Sequence, residues 1–275
     1  MIQIDCEIIS NKQISEKCFL ITFLGNKITN EIKPGQFVMV YDTKTFLRRP
    51  FSVCDVSEKN FSIVFKVVGT GTKILSQKKA GDIVNIICPL GTGFLLPITS
   101  YNLPHIIVAG GTGVASLFFL TQYLSTYQYI NMPPVVFIGA KTKTDILFEN
   151  EFKKLGCKVI ISTEDGSYGL KGLITDALIK FLLSIRPASH TLHPTVYACG
   201  PSPMLKKIAE ICKNKKLKCY ASLEEKMACG FGACAGCTIK IKSEKCKTEN
   251  KDITPYTYKR VCKDGPVFDI EEIVW

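Results

Sequence analysis

Several things are scarce in this chain. No uninterrupted apolar run reaches the ~20 residues that a membrane-crossing helix needs, which argues against a spanning protein. The opening Met1-Ile2-Gln3-Ile4-Asp5 lacks the basic and apolar pattern of a secretory signal. Histidines number three, and two of them, His190 and His193, flank a proline-bounded loop where surface histidines are commoner than metal ligands. No convincing general acid–base pair is present. Acidic residues are outnumbered, 24 against 35 basic ones, for a net charge of +11. Such a balance invites a nucleic-acid partner. However, Lys213, Lys215, Lys216 and Lys218 have no aromatic stacking platform beside them, so solvated lysine faces account for the charge. The most unusual absence is local: from Ile83 to Ala140 there is no Asp, Glu, Lys or Arg. Prolines and glycines break that stretch, which excludes a membrane helix. It reads as a buried centre with an uncharged exposed face, and a subunit interface is the competing explanation.

What is present suits a globular protein of two or three domains: 275 residues, 46% hydrophobic and 21% charged, without internal repeats. Thirteen cysteines are an odd number. Four fall in a pattern described next, and the others are scattered singly, several in apolar runs. They read as buried free thiols of a reduced cytosol, hence a cytoplasmic protein.

Cys229, Cys234 and Cys237 are spaced C-x4-C-x2-C, with Cys262 further on. That is the plant-type ligand spacing of a [2Fe–2S] cluster. Gly230, Gly232 and Gly236 fill the gaps, supplying the positive-φ turns and close backbone approach that a loop around a cluster requires. Structural zinc takes cysteine pairs at C-x2-4-C spacing, but the glycine density and the order of gaps favour the cluster. For the fourth ligand Cys246 competes with Cys262. Cys246 lies in the charged stretch Lys242 to Glu249, whereas Cys262 leads through Lys263-Asp264-Gly265-Pro266 into an apolar segment, so Cys262 is chosen. A [2Fe–2S] centre moves one electron at a time, which implies a donor and an acceptor on either side of it.

The first hundred residues read as short strands, among them Phe37–Val40, Phe61–Val68 and Ile83–Ile87. Turn signals at Lys33-Pro34-Gly35, Gly69-Thr70-Gly71-Thr72 and Ala80-Gly81-Asp82 separate them and predict a small antiparallel barrel. After Pro104 strands alternate with helices: Ile106–Ala109, a helix from Val114 to about Thr126, then Val135–Gly139, Lys158–Ser162 and Thr195–Ala198. That alternation predicts a doubly wound parallel sheet. The expected division is 1–100 barrel, 101–220 α/β domain and 221–275 cysteine module.

A barrel followed by a nucleotide-type domain and an iron–sulfur module suggests a flavin between the first two. In Arg48-Arg49-Pro50-Phe51-Ser52, arginine offers a fixed fork of donors to a phosphate and the Ser52 hydroxyl adds another. The Gly69–Thr72 turn could present backbone N–H groups to a pyrophosphate. Each signal is also found in plain loops. Gly110-Gly111-Thr112-Gly113 follows a buried strand and opens a helix, a context that favours an anionic ligand, although the full G-x-G-x-x-G pattern is absent and a plain tight turn fits too. Cys199-Gly200-Pro201 closes a later strand at the sheet's carboxyl edge, where Cys199 suits a neutral neighbour of a nicotinamide better than a nucleophile.

In order along the chain come Arg49-Pro50-Phe51-Ser52, Gly69–Thr72, Pro89-Leu90-Gly91-Thr92-Gly93-Phe94, Ala109–Gly113, Glu164-Asp165-Gly166-Ser167, Ala198-Cys199-Gly200-Pro201 and Glu224-Glu225-Lys226-Met227-Ala228-Cys229-Gly230. The set resembles the electron-transfer subunits of class 1B dihydroorotate dehydrogenases, within the ferredoxin–NADP reductase-like superfamily. Two departures are Cys88, where glycine usually precedes Pro89, and a longer stretch from Lys240 to Val261. The resemblance implies FAD held by Arg49, Pro50, Phe51, Ser52, Lys66, Val67, Val68, Gly71 and Thr72. It implies NAD at Gly110–Gly113 and Cys199–Pro201, and the cluster on Cys229, Cys234, Cys237 and Cys262. It further implies an FMN-containing catalytic partner, two of each chain per assembly, and a place in pyrimidine biosynthesis. A reductase subunit of a sulfide dehydrogenase, a hydrogenase or a ferredoxin–NAD(P) enzyme is the alternative; a zinc-binding, non-redox protein is the remote one.

Overall fold

A computed structural model describes residues 1–41, 45–96, 105–126, 133–184, 194–243 and 256–275. His190, His193 and Cys246 lie outside them.

The first part is a closed antiparallel barrel of β1 (Ile2–Gln13), β2 (Cys18–Leu24), β3 (Phe37–Tyr41), β4 (Arg49–Val56), β5 (Asn60–Lys66) and β6 (Ile83–Leu90), in the order β1-β2-β5-β4-β3-β6. Period-two patterning builds it. Along β6, Val84, Ile86, Cys88 and Leu90 turn inward while their neighbours face out. Between β5 and β6 the Gly69–Thr72 stretch, read from sequence as a turn, instead opens helix α1 (Thr70–Ser76). The Thr72 hydroxyl explains this, because it accepts hydrogen bonds from the N–H groups of Val68 (2.9 Å) and Gly69 (3.1 Å) and so satisfies donors a helix start leaves open.

Then follow β7 (Ile106–Gly110), a single tight turn at Gly111–Gly113, α2 (Val114–Thr126), β8 (Val135–Ala140), α3 (Glu149–Lys154), β9 (Lys158–Thr163), β10 (Leu170–Lys171), α4 (Ile174–Ser184), β11 (Val196–Cys199), α5 (Ser202–Lys215) and β12 (Cys219–Ser222). The last part adds β13 (Thr238–Lys242), β14 (Tyr256–Arg260), α6 (Val261–Asp264) and β15 (Val267–Asp269). The sheet has seven strands, ordered β10-β9-β8-β7-β11-β12-β15, all parallel except β15, which runs antiparallel to β12. The order reverses between β7 and β11, the crevice where open α/β sheets bind ligands.

Helix α2 accounts for the uncharged stretch. It packs on barrel strand β4 with one side and on β7 and β11 with the other. Its residues from Val114 to Thr121 are all buried, and Phe119 joins the barrel core. With water excluded on both sides, charge there would go unpaired. Among the described residues of the stretch, the large apolar side chains of Ile83 and Leu95 stay exposed, but burial explains most of the missing charge. The cysteine module is equally integrated, since Cys237, Ile241, Val261 and Cys262 share one core with Phe37, Met39 and Leu90 of the barrel and with the sheet. Among the described residues no helix is long and apolar enough to cross a membrane.

Candidate functional site

The cysteine loop is built by local geometry. Gly230 and Gly232 take φ of +81° and +93°, and Ala235 +54°, which curls the backbone so that amides face sulfur. The Cys234 N–H donates to Cys229 Sγ, the Gly236 N–H to Cys234 Sγ, and the Cys262 N–H to Cys237 Sγ, each at 3.4 Å. Burial works against a Cys229 thiolate, yet the amides of Cys234, Phe231 and Ala233 and the Cys234 thiol outweigh it and bring Cys229 down to about 6. Cys262 is pushed up to about 12, by burial first and then by Cys237 and Cys229, the crowding of sulfurs that a bound cation would relieve.

The β13–β14 ladder pairs Thr238 with Arg260 and Lys242 with Tyr256, which sets Cys262 beside Cys237 whatever the length of the segment between the strands. The thiols thus meet in two pairs, Cys229 with Cys234 and Cys237 with Cys262. Among the described residues no three or more such side chains converge on one ion position. Pairs of thiolates with amide donors suit two irons bridged by sulfide. Arg260 fastens the loop by donating to Gly232 O (2.9 Å), while Asp264 holds the Arg260 backbone N–H (2.7 Å). A Cβ on Gly230 would strike Met39 of β3, with Sδ at 2.8 Å, so the loop rests directly on the barrel.

Across the β3–β4 ladder Met39 faces Pro50, which brings the cysteine loop next to the Arg49–Ser52 strand. The paired arginines have different duties. Arg48 is consumed internally, donating to Asn85 O (3.2 Å) and Asn85 Oδ1 (2.5 Å) and lying over the Tyr41 ring. Arg49 turns the other way, over Gly71 at the start of α1; a Cβ on Gly71 would be 2.5 Å from its Nη2. The structure therefore unites Arg49 with Gly71 and Thr72, a guanidinium above a helix N-terminus, while Leu47 O accepts from Arg49 Nη1 (2.5 Å). Beside them Val68 is 80% exposed, an apolar side chain open at the rim as a ring-binding groove would leave it. Thr72, also expected to touch the flavin, spends its hydroxyl on the backbone of Val68 and Gly69.

At the sheet's switch point a cleft of about 660 Å³ is lined by Gly110, Gly111, Thr112, Gly200 and Pro201, with Lys66 from the barrel. Gly113 is required there, because a Cβ would lie 2.5 Å from Cys199 O where β7 and β11 converge. Cys199 is buried, and burial foremost, then Glu224, pushes its thiol up to about 12; Ser116 and Ser222 offset this in part. It stays protonated and neutral.

The iron–sulfur cluster binding domain of dihydroorotate dehydrogenase B matches residues 224–274, and the oxidoreductase NAD-binding domain matches 107–210. The "Dihydroorotate dehydrogenase B (NAD(+)), electron transfer subunit" of Caldanaerobacter subterraneus is 39% identical over 271 residues, spanning 98% of this chain and 97% of that protein. The chain belongs to this family. The subunit of the same name from Desulforamulus reducens is 37% identical, with 98% of each chain covered. Among solved structures, an NADH-dependent reduced ferredoxin–NADP oxidoreductase superposes with a TM-score of 0.82 at 29% identity, covering 98% of this chain and 90% of its own. The cytochrome b5 reductase domain of Ulva prolifera nitrate reductase shares the fold, with a TM-score of 0.61 at 20% identity. The fold is thus the ferredoxin reductase type expected from the sequence.

Two residues of this electron-transfer subunit escaped sequence reading as individuals. Glu224 follows β12 and lines the cleft; it is open to the cleft itself but walled by protein, and that burial raises its carboxyl above the ordinary carboxylate range. Its signal was its place at the head of the Glu224–Gly230 motif. Met39 had no sequence signal, because its contact with the cysteine loop joins distant segments.

Proposed function

We infer that this subunit carries electrons from a dihydroorotate-oxidising catalytic subunit to NAD⁺, in pyrimidine biosynthesis. When bound, the [2Fe–2S] centre supplies one-electron steps, and FAD joins them to the hydride chemistry of NAD. The carrying observation is the seat of the cysteine loop on Met39, directly across from Pro50 in the strand proposed to hold the flavin. We propose that Cys229 and Cys234 hold the outer iron and Cys237 and Cys262 the inner one. The latter pair is buried, Cys234 is exposed, and the hairpin ladder favours Cys262 over Cys246. Arg49, Gly71, the Pro50–Ser52 strand and Lys66–Val68 hold FAD in this reading. Gly110–Gly113 and Cys199–Pro201 hold NAD, with Gly200 and Pro201 at the cleft surface and the buried, neutral Cys199 behind them. No residue of the chain needs to act as a nucleophile.

Residues 1–100, 101–220 and 221–275 act as flavin, nicotinamide and cluster units, with β15 lent to the middle unit's sheet. A cytoplasmic setting agrees with the buried free thiols. An assembly of two electron-transfer and two FMN-bearing catalytic chains fits the prevalence of two-fold symmetry. The test is analysis of the co-purified complex: about two irons and two sulfides per electron-transfer chain, with FAD, and dihydroorotate-dependent reduction of NAD⁺. A colourless zinc protein, or an FAD–iron–sulfur protein whose partner leaves dihydroorotate untouched, would refute the reading.

A further inference from the structure

The cysteine loop is fastened by a cation from outside it. Arg260 ends β14 just before Val261 and Cys262, and pairs across the hairpin with Thr238, the residue after Cys237. Asp264 fixes it in two places: Oδ2 accepts the Arg260 backbone N–H at 2.7 Å and lies 3.4 Å from Nε. The guanidinium is thereby aimed back at the loop, where Nη1 donates to Gly232 O at 2.9 Å.

That oxygen is one end of the Gly232–Ala233 peptide. The other end, the Ala233 N–H, is among the amides that face Cys229 Sγ, together with those of Phe231 and of Cys234, the last at 3.4 Å. One planar amide thus stands between the guanidinium and the sulfur. A cation on the carbonyl oxygen polarises the peptide and makes its N–H a stronger donor, because hydrogen bonds in series reinforce one another. Lys263 provides the contrast. Its alkyl chain covers Gly232, where a Cβ would lie 2.7 Å from Cδ, yet no hydrogen bond joins its ammonium to the loop among the described residues.

Reduction of a [2Fe–2S] centre adds one electron and no proton. The added negative charge is met by hydrogen bonds to sulfur and by nearby cations, which are among the factors that set the potential. Resting on the cysteine loop holding this cluster, we propose that Arg260 is a positioning residue that raises the cluster's reduction potential, acting through the Gly232–Ala233 peptide on the Cys229 sulfur. The amide strengthened in this way favours the reduced form, whose sulfurs carry more charge, over the oxidised one.

The test is a potentiometric titration of the co-purified complex with dithionite as the electron source, following the paramagnetic signal of the reduced cluster. The unaltered protein is compared with Arg260→Met, Arg260→Lys and Lys263→Met. Arg260→Met should move the equilibrium about tenfold toward the oxidised form, a midpoint ~59 mV lower for one electron. Iron, sulfide and FAD contents should stay unchanged. Arg260→Lys keeps the charge but brings one nitrogen to two acceptors, Asp264 and Gly232 O, and its midpoint should fall by less. Lys263→Met removes the same charge beside the same loop without touching the amide, and should lower the midpoint by less than half as much as Arg260→Met. An unchanged or higher midpoint in Arg260→Met, or an equal fall in Lys263→Met, would overturn the relay. If Arg260→Met protein fails to retain the cluster, Arg260→Lys decides: a lower midpoint supports the assignment and an unchanged or higher one overturns it. An unaltered complex without a reduced-cluster signal would instead refute the reading of the cysteine loop, and this assignment with it.

Discussion

Replacing Gly71 by alanine should loosen FAD while making the protein without it more stable. Gly71 sits in the first turn of α1 with helical backbone, so alanine is conformationally acceptable. Such a change stabilises by about 0.4–1 kcal/mol through the unfolded chain and helix propensity. The added Cβ, however, would stand 2.5 Å from Arg49 Nη2 and closer still to Nε and Cζ. Ordinary contact between such atoms is ~3.5 Å, so the guanidinium must withdraw by more than about 1 Å. A displacement of that size takes a 2.8–2.9 Å charge-assisted bond beyond hydrogen-bonding range. If Arg49 clamps the flavin pyrophosphate, about 1.5–3 kcal/mol is lost, roughly ten- to a hundredfold in FAD affinity. The assay pairs thermal melting of the flavin-stripped protein with FAD titration followed by flavin fluorescence, and Arg49→Ala serves as the limiting case. The two effects have opposite signs, so general damage to the fold cannot imitate them. Gly71→Ala protein that binds FAD with unaltered affinity would show that Arg49 is not the clamp.

Cys262→Ser should abolish or severely disturb the cluster's visible absorbance and paramagnetic signal, whereas Cys246→Ser should leave both intact; the reverse result would move the fourth ligand to Cys246. His105 is buried, with Nδ1 lacking a hydrogen-bond partner among the described residues, and burial lowers its pKa. The unfolded chain therefore takes up a proton below ~6.5 that the folded one resists, so stability should fall as pH drops through that value, and His105→Leu should flatten the melting temperature between pH 7 and 5. Glu224 has the opposite sense: its raised carboxyl pKa means that ionisation costs the folded state, a cost absent below the ordinary value of ~4.3 and growing as pH rises above it. Because the Glu224 side chain is exposed, solvent screens most of this cost, so Glu224→Gln should raise the melting temperature only slightly at pH 7 and not at all near pH 4; an equal gain at both would refute the argument.

Features set by a few neighbouring residues could be read from sequence. The cysteine loop depends on the spacing of Cys229, Cys234 and Cys237 and on glycines between them, and the switch-point turn on a strand, Gly110–Gly113 and a helix in succession. The turn expected at Gly69–Thr72 failed for a local reason as well, because Thr72 caps a helix with a hydroxyl that propensity reading does not weigh. What could not be read joins distant segments. The pairing of β12 with β15 takes a strand from the far side of the cysteine module. The different duties of Arg48 and Arg49 are settled by Asn85 and Gly71, which are remote in the chain from both. The missing charge from Ile83 to Ala140 was visible at once, but its cause required seeing that α2 has protein on both sides.

The shared core also bears on why three modules occupy one chain. A cluster domain on a flexible tether would hold its cysteines at varying distances from the strand proposed to hold the flavin, and an electron path would then wait on domain motion. Here Met39 is fully buried in the barrel wall, belongs to the same apolar cluster as Cys237 and Cys262, and meets the Gly230 turn from below. The other side of the loop is anchored as firmly. Gly91, at φ +74°, packs its turn onto Gly265 and Pro266, and the Thr92 N–H donates to Gly265 O (2.6 Å), three residues beyond Cys262. Pro266 then leads into β15, which is hydrogen-bonded to the sheet that forms the cleft. A displacement of the cysteine loop would therefore have to break barrel packing and a sheet edge together. Such a loop keeps a constant separation from the Arg49–Ser52 strand, because barrel packing and the sheet edge hold it from both sides.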